Sequence, residues 1–179
     1  MSNKSLSPEE KVELLISLYK KNLLKEALLK AEIFAKEHPN NPSIHNIYGI
    51  IHSSLENYKE SIFFFLKSTK LDPNNAKTYN NLASALNSLG QFKEAILNYN
   101  KALKLNPNFA EAHFNLAKTL NDVERFEDAI TSYCKAIDLD PNFEDAYNNL
   151  IKILTFYVPK KKQYKCMFNI KQSFAKCNF

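Results

Sequence analysis

Small, branched and ring-bearing residues recur along this chain in a step of 34. Ala27, Ser61, Ala95 and Ala129 form one column, all small. Ser68, Ala102 and Ala136 form a second, and Leu82, Leu116 and Leu150 a third. Rings repeat at Phe65, Tyr99 and Tyr133, and again at Tyr58, Phe92 and Phe126, while Tyr79, His113 and Tyr147 fill another column. Two helices approach closely only where a small side chain faces its partner, and rings fill the space beside it. Prolines keep the same step at Pro39, Pro73, Pro107 and Pro141, in the settings EHPNNP, LDPNN, LNPNF and LDPNF. Proline lacks an N–H and turns the preceding residue away from helical geometry, so each marks a helix end. The pattern predicts one pair of antiparallel helices per step.

On this reading residues 1–7 are a leader and the units run 8–41, 42–75, 76–109 and 110–143. Unit one opens with Ser7, Pro8, Glu9 and Glu10, a helix start with serine as N-cap and Glu10 reaching back. It departs from the pattern at Leu15, where a small residue is expected, and reads as a divergent end unit. A further helix over 144–157 matches the first half of a fifth unit. The second half then fails: Gln163 and Ile170 stand where small residues belong. Cys166, Met167, Ile170, Phe174 and Cys177 instead lie at helical spacing with lysines between them. That predicts a basic capping helix or tail over 160–179, closing the open end of a stack.

The third unit carries Tyr79, Leu82, Ala83, Leu86, Ala95, Tyr99, Ala102 and Pro107 in order. This resembles the tetratricopeptide repeat (TPR). The resemblance implies an all-α solenoid of stacked antiparallel helix pairs, with the first helix of each pair lining a concave side. The fifth, sixth, ninth and twelfth positions of each unit would then face a ligand. They supply Asn46, Asn80, Asn81, Ser84, Asn87, Phe114, Asn115, Lys118, Asn121, Asn148, Asn149 and Lys152 as candidate peptide-binding residues. Asparagine is a poor helix former, and its amide both donates and accepts, so a column of amides can pair with an extended backbone. Asn81, Asn115 and Asn149 are similar to the asparagine ladder of O-linked N-acetylglucosamine transferase arrays, where it holds acceptor peptide. Ile47 breaks that column in unit two. Ladder amides could equally bond one another between repeats. The carboxylate clamp of chaperone-binding arrays needs a fifth-position lysine, and this chain has Asn, Asn, Phe and Asn there, with Lys77 and Lys118 the nearest cations.

Composition narrows the picture further. Two glycines, Gly49 and Gly90, leave no material for a glycine-rich phosphate loop. The formal charge of +5 is local: Lys160, Lys161, Lys162, Lys165, Lys171 and Lys176 crowd the C-terminal segment with no acid among them. The rest is near neutral, which argues against a nucleic-acid footprint. Three cysteines without a CxxC pair and no charged-then-apolar leader point to a reduced, cytoplasmic protein. No run is long enough to span a membrane.

Candidate chemistry is thin. His45 and His52 share a helix face but read as packing residues, and Cys166 and Cys177 would lie ~16 Å apart along a helix. No nucleophile, base and orienter converge. The sequence therefore predicts a non-enzymatic interaction scaffold with no cofactor, metal or small-molecule substrate. Its expected partner is an extended peptide or helix of another protein, and its expected state a monomer. Two other readings stand beside it: the substrate-presenting part of a glycosyltransferase or sulfotransferase system, and a self-assembling array. The PKKKQYK segment offers a basic surface for an anionic partner, but a solvated capping face is the reading preferred for it.

Overall fold

Three of the first helices begin at a residue suited to start one. In the computed structural model, which describes residues 6–157, α1 (Pro8–Lys20) opens on a full capping box. Ser7 Oγ accepts from the Glu10 N–H at 3.2 Å, and the Ser7 N–H donates to Glu10 Oε2 at 2.7 Å. Asn41 and Asn75 cap α3 (Pro42–Ser54) and α5 (Ala76–Ser88) by accepting from the N–H groups of Ile44 and Thr78. Such caps satisfy amides that have no partner inside the helix. The other first helices are α7 (Ala110–Asp122) and α9 (Glu144–Tyr157). The second helices are α2 (Leu24–Glu37), α4 (Tyr58–Leu71), α6 (Phe92–Leu105) and α8 (Phe126–Leu139). The described residues contain no strand, and none of their helices is long and apolar enough to cross a membrane.

Two kinds of bend alternate. Pro39, Pro73, Pro107 and Pro141 lie between a second helix and the next first helix. The turn inside each pair is a Schellman motif built on a left-handed residue: Asn22 (φ 57°), Glu56 (59°), Gly90 (73°) and Glu124 (59°). The residue after each donates five back, Leu23 to Leu18 O, Asn57 to His52 O, Gln91 to Leu86 O and Arg125 to Leu120 O, at 2.8–3.0 Å. These bonds satisfy carbonyls orphaned at the helix end.

The described residues form two compact units, divided between Gln91 and Phe92. In the first, α1 packs on α2 and α3 on α4, with α3 also against α2 and α5. In the second, α7 packs on α8, and α9 on both. The small column Ala27, Ser61, Ala95 and Ala129 is wholly buried, as are Ala102 and Ala136. Phe65, Tyr99 and Tyr133 are at most 2% exposed. Burying a ring of this size contributes about 1.5–3 kcal/mol.

Leu15 is fully buried because its surroundings are rearranged. In unit two the equivalent residue is Gly49, which faces Phe65 so closely that a Cβ would lie 2.7 Å from two ring carbons. In unit one Ala31 occupies the ring's position, and the ring moves one turn on, to Phe34. Leu15, Ala31 and Phe34 belong to one buried cluster. Bulk has been exchanged across the contact, as close packing requires. Lys11 is also buried there, paired with Glu37 at 2.6 Å and lying over the Phe34 ring.

Candidate peptide-binding groove

In the first unit the candidate residues lie on α3 and α5. The Asn81 amide donates to Asn46 Oδ1 at 3.3 Å, so the two face each other across neighbouring repeats. Both are half-buried, as is Asn87, while Ser84 is exposed. Asn80 departs from the expectation. It is only 2% exposed, turned into the packing, and presents no amide to a ligand. Ile47, the break in the ladder, is buried too. Beside the Asn46–Asn81 pair is a cavity of about 300 Å³, lined by Tyr19, Ile50, Ser53, Ser54, Asn81 and Ser84 among others. Its hydroxyls are organised: Ser53 Oγ lies 2.6 Å from Ser61 Oγ, and Ser54 Oγ donates to Tyr19 OH at 3.2 Å. Its lining holds hydroxyls, an amide and apolar groups, with no acid or base.

In the second unit the candidates lie on α7 and α9. Phe114 is half-buried, edge-on to Tyr133 at 5.9 Å and tilted on Phe143 at 4.6 Å. Lys118 Nζ lies 5.7 Å from its centroid. Asn115 and Asn121 are half-buried, and among the described residues Asn121 Oδ1 is buried without a hydrogen-bond partner. Asn149 donates back to the Asp145 carbonyl at 2.8 Å, within its own helix. Asn148 and Lys152 are exposed. The ladder residues Asn81 and Asn149 thus hold scaffold partners, though one bond leaves an amide further donors and acceptors.

The histidines are structural. His45 is fully buried, and since the Pro39 carbonyl can only accept, Nε2 carries the proton donated to it at 2.8 Å. His113 repeats the contact to the Pro107 carbonyl at 3.0 Å. Burial holds His45, His52 and His113 below the usual imidazole range. Burial, with Asp122 adding to it, also raises the Tyr133 phenol. One set of residues escaped the sequence reading: the column Phe64, Asn98 and Ser132 on the second helices. Its signal was available in the 34-residue register, as a ring giving way to small polar residues.

Tetratricopeptide-repeat models match residues 42–75 and 64–96, and a TPR-repeat model matches 83–123 and 120–150, together more than half of the chain. The chain is a tetratricopeptide-repeat protein. Its all-α TPR solenoid class is shared with solved structures. MamA from Desulfovibrio magneticus RS-1, spanning residue 41 to its end, matches with a TM-score of 0.77 at 20% identity, covering 96% of this chain and 97% of that one. A second MamA crystal structure gives 0.74 at 23%, covering 89% and 95%. The first TPR of Spaghetti (RPAP3), bound to the HSP90 peptide SRMEEVD, gives 0.62 at 28%, covering 63% and 89%. No curated protein matches the sequence significantly. The family matches begin at residue 42 and end at residue 150.

Proposed function

We propose that this TPR protein is a non-enzymatic scaffold whose first-helix faces hold an extended segment of a partner protein. The observation that carries this is the Asn46–Asn81 amide pair beside the hydroxyl-lined 300 Å³ cavity of the first unit. Amides and hydroxyls there offer donors and acceptors to a peptide backbone without demanding a charged side chain. Preformed helices carry the walls, so little ordering cost falls on the scaffold. The RPAP3 relative is a TPR array with a peptide bound, which supports the same use of the fold. The acidic SRMEEVD peptide is not the expected ligand here, because Asn46, Asn80, Phe114 and Asn148 stand where a carboxylate clamp needs lysine.

The test is to select peptides on the wild-type protein from a random display library. Their affinities are then compared on an Asn81→Ala, Asn115→Ala, Asn149→Ala triple variant. A loss of about tenfold or more, with an unchanged far-UV spectrum and melting midpoint, is the expected result. Selected peptides that bind both proteins equally would remove the amides from the mechanism.

A further inference from the structure

The second and fourth repeats are built alike around a histidine, but one is roofed and the other open. In the second, Phe64 of α4 packs on Tyr48 at 4.0 Å and runs parallel to His52 at 5.5 Å and to His45 at 6.2 Å. In the fourth, Ser132 stands for Phe64, Leu116 and Leu120 stand for Tyr48 and His52, and His113 for His45. The serine leaves the ring's place unfilled, and a cavity of about 770 Å³ opens there between α6 and α8, with α7 behind it. His113, Leu116 and Ser132 all line it. Leu103 and Ile130 extend its apolar lining. The lining carries Lys104 and Lys135, with Asp138 its one acid.

We propose that this outer cavity takes an aromatic side chain from a partner segment whose flanking residues are acidic. The chain itself supplies the template. A phenyl ring set parallel to the histidine and packed on its neighbour one turn along is the arrangement its own second repeat adopts, and His113 makes the same proline-carbonyl bond as His45. A flat ring on an imidazole, over leucine and isoleucine, is the favourable geometry for an aromatic group. The cavity exceeds one ring and falls within the size range of ligand pockets, leaving space for adjoining backbone. The lysines then favour carboxylates beside the ring. None of the groove candidates lines this cavity, so it neither depends on that reading nor fails with it.

The experiment uses the full chain, isotope-labelled, titrated with acetyl-Asp-Glu-Phe-Glu-Asp-amide while His113 ring and Cys134 amide resonances are followed. Matched peptides carry Ala for Phe, or Lys for every acid. The Phe peptide should bind about tenfold or more tighter than the Ala peptide, the ratio expected for burying one ring. It should also outcompete the lysine-flanked one. Ser132→Phe, which installs the ring of the second repeat, should abolish the difference between Phe and Ala peptides. Lys135→Glu, a surface change, should weaken the acidic peptide severalfold and not the lysine-flanked one. Equal binding of Phe and Ala peptides, shifts confined to Asn115 and Asn149, or full affinity in both variants would overturn the proposal.

Discussion

Glu56 and Glu124 hold a backbone conformation that their side chains disfavour, so replacing either with glycine should stabilise the protein. Both sit at φ 59°, in the same turn that Gly90 occupies at 73° and Asn22 at 57°. A residue with a Cβ loses roughly 1–2 kcal/mol in the left-handed region. Glycine removes that strain but makes the unfolded chain freer, which costs about 0.4–1 kcal/mol. The difference leaves Glu56→Gly and Glu124→Gly each more stable by about 0.5–1 kcal/mol. Gly90→Ala provides the mirror experiment. No atom lies within 4 Å of a Cβ built there, so any loss, about 1 kcal/mol, reports backbone conformation alone. Asn22→Gly should gain least, since asparagine tolerates this region. Urea midpoints followed by far-UV circular dichroism measure all four. Glu→Gly variants that unfold at lower urea than wild type, with Gly90→Ala neutral, would refute the reasoning.

Two further outcomes are expected. Leu15→Ala should cost about 2–5 kcal/mol by leaving a cavity, and Ala31→Tyr about 1–3 kcal/mol by overpacking. The double variant again sets a small first-helix residue against a ring, with Phe34 still in place, and should be less destabilised than the two losses combined; additivity within about 0.5 kcal/mol would disprove the exchange. Acid should also weaken the fold. Burial keeps His45, His52 and His113 neutral in the folded state, with Lys67 beside His45 and Lys135 beside His113 acting the same way and Glu60 opposing at His52. The unfolded chain protonates near the ordinary value of 6.5. It therefore binds more protons below that pH, so stability is full above about 6.5 and falls as the pH drops. Urea midpoints from pH 7.5 to 5 should decline, less steeply in His45→Tyr, His113→Tyr; a flat profile in wild type would contradict this.

The small and ring-bearing columns were legible because close packing ties residue size to position, and Ala27 through Ala129 could not be large. The exchange at Leu15 was written in the sequence as well, since Ala31 and Phe34 invert the order of Phe65 and Ser68. It shows only when two columns are compared rather than one. The turn column Asn22, Glu56, Gly90 and Glu124 stayed hidden because three of its members carry no glycine, and the strain is absorbed by the Schellman bonds. Asn80 was misjudged for a different reason. Spacing assigns a residue to a helix face, but the rotation that separates the buried edge from the exposed one is set by neighbouring packing.

Chains made of near-copies face a hazard during folding, because a helix can close on the wrong partner. The tight fit of Phe65 on Gly49 answers it for one pair. Leu15, Ala83, Ala117 and Ile151 occupy the glycine's place in the other first helices. Each would push a side chain into the space that the ring fills. With Phe65 in its native pose such a side chain would crowd the ring, so the missing methyl group of Gly49 favours α3 as the partner of α4.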